Sequence, residues 1–102
     1  MVWRVKINDL VGREDFKSIA HADRQLIIDA AVEKLSRDPY AYGEPLRAPY
    51  KGYWRLRVGM YRVVYEIHKQ EVVVYVVLVG KRKDDQVYKE LASRLGQIRR
   101  NK

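Results

Sequence analysis

The stretch YWRLRVGMYRVVYEI, residues 53 to 67, sets Arg55, Arg57 and Arg62 among strand-forming apolar residues. Two such runs flank Gly59-Met60, and a two-residue loop with glycine first suits a type II′ hairpin turn. That turn pairs Val58 with Tyr61 and Arg57 with Arg62. Side chains alternate across a strand, so Trp54, Leu56, Val58, Tyr61, Val63 and Tyr65 share one face. Tyr53, Arg55, Arg57, Arg62, Val64 and Glu66 share the other. Like charges facing each other across strands are destabilising, and no carboxylate lies between Glu44 and Glu66. Guanidinium forks match phosphate oxygens in two-point contacts that a lysine cannot make. The face therefore has the chemistry of an anion site, with a phosphate as the fitting ligand. The competing reading has these arginines lying over apolar surface or pairing with distant acids such as Asp84 and Asp85.

A second basic segment, GKRKDDQVY (80–88), follows the most apolar run of the chain. Arg82 shares the face of the other arginines if the preceding loop has three residues. It takes the opposite face if the loop has two, and the sequence leaves this open. Tyr88 lies further on, in a helical pattern. By its residues alone it is either a core tyrosine packing that helix on the sheet or a phenol beside the cations.

The rest of the chain must position these groups. VWRVKIN (2–8) alternates as a first strand. A first helix is predicted from about Gly12 to Ile19. A second runs from an Asp23 N-cap to about Ser36, with Leu26, Ile27, Ala30, Ala31 and Leu35 facing a core. Asp38-Pro39 ends it, and YAYGEPLRAPYKG reads as a loop. Three strands follow: Tyr53–Val58, Tyr61–Ile67 and Glu71–Val79, the last apolar enough to be covered on both faces. Asp84 or Asp85 caps a C-terminal helix bearing Val87, Leu91 and Leu95, whose basic end suits the helix dipole. The expected fold is α+β: a small twisted antiparallel sheet of about four strands, two N-terminal helices packed on one face and a C-terminal helix. One side of the last strand is left either for an acidic partner segment or for the C-terminal helix folding back.

Residues 1–102 suit one domain, and the formal net charge of +8 points to a polyanionic partner. The absence of cysteine excludes disulfides, Cys-ligated zinc and thiol nucleophiles. No cofactor and no metal are expected. The N-terminus has no apolar signal core and no run reaches membrane-spanning length, so a cytoplasmic chain without a membrane partner is expected.

YWRLRVGMYRVVYEI and VVVYVVLVGKRKDDQVYKEL together resemble the RelE family of toxin–antitoxin toxins, within the RelE/ParE superfamily. The resemblance is carried by a "YRVVY" strand, an apolar strand ending in "VGKR" and a tyrosine six residues past that arginine. It implies an mRNA interferase that cuts messenger RNA in the ribosomal A site by 2′-hydroxyl attack, leaving a 2′,3′-cyclic phosphate and a 5′-hydroxyl. It also implies the ribosome and a cognate antitoxin as partners. The residues it marks as catalytic are Arg62, Arg82 and Tyr88. Those it marks for RNA or phosphate binding are Arg55 and Arg57, where the family usually has lysine, with Lys81 and Lys83 beside them. Such chemistry needs a deprotonated 2′-oxygen in line, a neutralised phosphorane and a protonated leaving oxygen. His21 and His68 lie away from the arginine face, and the resemblance makes Tyr88 the candidate base. An arginine is a reluctant proton donor, so Arg82 suits charge stabilisation better than acid catalysis. Lys81, Lys83, Arg94, Arg99 and Arg100 are read as RNA-backbone or ribosomal contacts, or as solvated helix charge. Two other functions are compatible with the same residues: ParE-like inhibition of DNA gyrase by protein contacts, and a noncatalytic RNA-binding relic.

Overall fold

The computed structural model describes residues 2–82 and 86–100. Its five strands are β1 (Arg4–Ile7), β2 (Glu44–Pro45), β3 (Tyr53–Val58), β4 (Tyr61–His68) and β5 (Val73–Lys81). Its helices are α1 (Asp9–Arg13), α2 (His21–Arg37), the single turn α3 (Pro39–Tyr42) and α4 (Gln86–Arg100), with a 3₁₀ turn at Asp15–Ser18. The sheet order is β1-β5-β4-β3-β2. The expected α+β fold is present, with one strand more than foreseen. Among the described residues β1 is the sole parallel neighbour, running beside β5 from Arg4↔Val73 to Ile7↔Val76. β5 is nearly all valine and leucine, so a neighbour on each side satisfies its backbone while both faces are buried.

The expected second helix starts three residues early, with Ala20 rather than Asp23 at its N-cap position. Asp23 accepts a hydrogen bond from the Tyr61 hydroxyl at 3.0 Å instead of capping the helix. The predicted loop after Asp38 contains α3 and β2. Asp38 caps α3 through its carboxylate, which accepts from Tyr40 N and Ala41 N.

Two cores sandwich the sheet. The first joins Ile27, Ala31 and Leu35 of α2 to Leu56, Val63, Tyr65, Val74 and Val76. The second joins Val87 and Leu91 of α4 to Val64, Val77, Leu78 and Leu46, with Tyr50, Tyr53 and Tyr88 against it. The C-terminal helix itself therefore covers the side of β5 that the sequence left between helix and partner. Among the described residues no helix is long and apolar enough to cross a membrane.

Candidate RNA-binding groove

The β3–β4 hairpin forms as the sequence requires. Arg57 pairs with Arg62 and Val58 with Tyr61. Gly59 takes φ +56°, a left-handed value that glycine adopts without penalty. The loop before β5 has neither two nor three residues. His68 pairs with Val73, leaving the four residues 69–72 in the turn. Alone, that loop would carry Arg82 to the wrong side. A β-bulge shifts the register between Val64 and Tyr65, so that Val64 pairs with Leu78 and Arg62 with Gly80. An extra residue on one strand flips every later side chain to the other face. Arg82 thereby joins the arginine side.

The result is a groove of about 550 Å³ between the hairpin turn, the end of β5 and the start of α4. Arg47, Arg55, Arg57, Arg62, Arg82 and Tyr88 all line it, together with Pro45, Gly59, Met60 and Val87. Arg55, Arg57, Arg62, Arg82 and Tyr88, the residues expected from the sequence to act in catalysis and anion binding, share this one concavity. Lys81 does not. It pairs with Tyr61 and lines a neighbouring cavity of about 450 Å³, with Gln86, Glu90 and Ser93. Lys83, and the Asp84 or Asp85 cap, lie outside the described residues.

Each arginine has its own setting. Arg57 is exposed and, among the described residues, pairs with no carboxylate. Arg82 is also exposed. Its backbone N–H donates to Met60 O at 2.8 Å and its guanidinium to Gly59 O at 3.1 Å, which parks it on the hairpin turn. Arg55 donates to Glu44 at 3.2 Å. Arg62 forms the floor, its side chain only 5% exposed, with Glu90 Oε1 at 3.3 Å from its guanidinium. Burial pulls Arg62 below the ordinary arginine pKa; Glu90 opposes this and Arg55 adds to it. The expectation of an arginine face without carboxylates thus holds locally in the sequence and fails in space. Glu44 and Glu90 arrive from β2 and α4, a strand too short and a helix too distant for pairing rules to foresee.

Tyr88 sits on the first turns of α4, stacked at 6.0 Å on Tyr50. Its hydroxyl accepts hydrogen bonds from Arg47 N at 3.3 Å and Arg47 Nε at 3.4 Å. The Arg47 guanidinium also lies 5.7 Å from the ring centre. These contacts lower the Tyr88 pKa below its ordinary value: the Arg47 side chain contributes most, its backbone N–H next, and Arg55 adds a smaller charge effect. Donors to an oxygen favour its ionised form. Of the groove arginines expected from the sequence only Arg55 acts on Tyr88, and the main partner is Arg47, in a segment read as loop. Its signal was the Leu46-Arg47 pair: Leu46 is buried under α4, which fixes Arg47 beside Tyr88.

Arg94 corrects a further expectation. It is no RNA contact but a buried anchor. Its guanidinium meets Asp15 at 2.6 and 2.9 Å and Val77 O at 3.0 Å, while Asp15 also accepts Val79 N–H at 2.9 Å. This pins α4, and with it Tyr88, across β5 to the 3₁₀ turn. Arg99 and Arg100 are exposed as expected. His68 lies between Glu66 and Glu71, against Tyr75 and outside the groove. Among the described residues no group of three or more His, Asp or Glu side chains could hold a metal ion.

Residues 12–86 match the family described as "ParE toxin of type II toxin-antitoxin system, parDE". The toxin RelG of Mycobacterium tuberculosis is 31% identical over 73 residues, which span 72% of this chain and 84% of that protein. The mRNA interferase toxin RelE of Escherichia coli is 44% identical over 41 residues, 40% of this chain and 43% of its own length. Among solved structures, the RelBE2 toxin–antitoxin complex from Mycobacterium tuberculosis contains a chain that superposes with a TM-score of 0.74 at 27% identity. That alignment covers 82% of this chain and 95% of the other. A free mutant of the E. coli toxin RelE shares the fold, with a TM-score of 0.69 at 22% identity over 92% of this chain and 98% of its own.

Proposed function

Because this chain belongs to the ParE toxin family of type II toxin–antitoxin systems, and is a RelE-like toxin, we propose that it is an endoribonuclease that cuts messenger RNA in the ribosomal A site. The observation that carries this reading is one groove holding five arginines and a tyrosine of lowered pKa. In the proposed reaction Tyr88, as phenolate, takes the proton of a ribose 2′-hydroxyl. The 2′-oxygen attacks the adjacent phosphorus and the bond to the 5′-oxygen breaks. The products are a 2′,3′-cyclic phosphate and a 5′-hydroxyl. Arg62 and Arg82 balance the charge that grows on the phosphorane, worth several kcal/mol in preorganised sites. Arg55 and Arg57 hold the flanking phosphates, and Arg47 sets the Tyr88 proton affinity. Arg82 leaves the hairpin turn to reach its phosphate. The departing 5′-oxygen takes its proton from Arg82 or from water.

A phenol with reference pKa about 10 is ionised in roughly one molecule per thousand at pH 7. Even a lowered pKa leaves a weak base, so alignment of the RNA supplies much of the rate. A ribosome that stretches the messenger provides that alignment, and free RNA is a poor substrate. The groove's charge also suits an acidic segment of a cognate antitoxin, which would neutralise the toxin by covering it. Such a protein acts in the cytoplasm. A ParE-like reading, in which the chain inhibits DNA gyrase through protein contacts, makes no use of the Arg47–Tyr88 arrangement. Induced expression separates the two. Wild type arrests growth with cuts inside translated messengers, and Arg62→Ala, Arg82→Ala and Tyr88→Phe abolish them. Supercoiling defects without RNA cuts would favour gyrase instead.

A further inference from the structure

We infer that Glu90 is a built-in occupant of the phosphate seat on Arg62, displaced when an RNA phosphate enters. The inference deepens the reading above and rests on Arg62 as a phosphate ligand. Arg62 is the one groove arginine whose side chain is buried, 5% exposed, and Glu90 Oε1 lies 3.3 Å from its guanidinium. A buried guanidinium without a counter-charge is costly, so the empty protein needs a carboxylate there. Glu90 is able to leave. Its side chain is 36% exposed, and it borders the second cavity, of about 450 Å³, where Lys81, Gln86 and Ser93 offer other polar partners.

The backbone is cut to fit this contact. A Cβ on Gly80 would stand 2.8 Å from Glu90 Oε2. Gly80 is the cross-strand partner of Arg62, placed there by the bulge in β5. The same register shift that turns Arg82 toward the groove thus opens the path by which Glu90 reaches Arg62. A phosphate and a carboxylate compete for one fork, and the anion that brings more acceptor oxygens prevails when the RNA is held in place. Glu90 is a positioning residue: it keeps Arg62 charged and aimed, and it reduces the affinity for stray phosphate to the fraction of molecules in which the seat is open.

The test is phosphate-dependent thermal unfolding of the purified full chain, with inorganic phosphate as probe and chloride at matched ionic strength as reference. Glu90→Gln lowers the midpoint in chloride and binds phosphate roughly tenfold more tightly than wild type. Arg62→Ala/Glu90→Gln recovers stability in chloride and loses that gain. Gly80→Ala, which crowds Glu90 off Arg62 without removing it, reproduces the gain should Glu90→Gln fail to fold. Phosphate affinity equal to or weaker than wild type in both Glu90→Gln and Gly80→Ala overturns the inference. Ribosome-dependent cutting, assayed separately, leaves the two ideas distinguishable. A chain that cuts no RNA but shows the phosphate gain keeps the Glu90 seat and loses the nuclease. One that cuts RNA without the gain does the reverse.

Discussion

Removing the Asp15 carboxylate should unfasten the helix that carries Tyr88. Asp15 accepts three hydrogen bonds, from both terminal nitrogens of Arg94 and from Val79 N–H. The two side chains are 5% and 9% exposed, so solvent screens the pair little. In Asp15→Ala, Arg94 retains only Val77 O and Gln97 as partners. Breaking a buried pair by removing one member costs about 3–5 kcal/mol. That is at least about a fifth of a total stability of roughly 5–15 kcal/mol. For a chain of this length each kcal/mol moves the midpoint by about 4–8 °C, so the lower bound is a fall of about 12 °C. Arg94 lies six residues past Tyr88, roughly 9 Å along the helix. Loosening there should speed proteolysis within α4 before global unfolding. Replacing both partners, as Asp15→Leu/Arg94→Met, should recover most of the loss, less about 1–3 kcal/mol for the Val79 N–H left unpaired. The assay is thermal unfolding followed by circular dichroism, with limited proteolysis at 25 °C. A loss under about 1 kcal/mol in Asp15→Ala would refute the argument that this pair anchors α4.

Arg47→Ala removes the main cause of the lowered Tyr88 pKa, so that pKa should rise toward its ordinary value; carbon-13 titration of the Tyr88 ring reads this directly. If Tyr88 is the base, the cleavage rate rises with pH up to its pKa, and in Arg47→Ala the rise should move to higher pH. His68 has a raised pKa, chiefly through its hydrogen bond to Glu66. A raised folded-state value means its stabilisation is fully present below the unfolded pKa of about 6.5 and is lost as pH climbs through the folded value. Denaturant midpoints should therefore decline across that window in wild type and change less in Glu66→Gln. Gly59→Ala places a side chain at φ +56° and should lose more than about 0.4–1 kcal/mol, measured by urea unfolding.

The hairpin was legible because its rules are local. Gly59-Met60 sets the turn, the turn sets the register, and alternation sends three arginines to one side. The first core was legible for the same reason, as Ile27, Ala31 and Leu35 of the α2 stripe and the β3–β4 alternation point at one another, although Leu26, expected on that stripe, is exposed. The site's other half depends on contacts between distant segments. Whether Arg82 faces the groove hung on a four-residue loop and a bulge at Val64/Tyr65, and neither has a sequence marker beside a strand as uniformly apolar as VVVYVVLV. The carboxylates Glu44 and Glu90, the cap-like Arg47 and the Asp15–Arg94 clasp all meet partners between 11 and 79 residues away. Charge counting treated Arg94 as surface because nothing local shows that Asp15 is waiting for it. β1 alternates as expected, but no pattern in it announces a parallel place beside β5.

Defined messenger RNA, presented once in the A site of purified ribosomes and once free in solution, tests the central claim most directly. Single cuts in the A site are expected, leaving a 2′,3′-cyclic phosphate and a 5′-hydroxyl. The rate with ribosomes should exceed the free-RNA rate by several orders of magnitude, and Tyr88→Phe should remove the cut while leaving the fold and the phosphate response of Arg62 intact. Intact RNA on the ribosome with folded wild-type protein, or full-rate cutting by Tyr88→Phe, would contradict it.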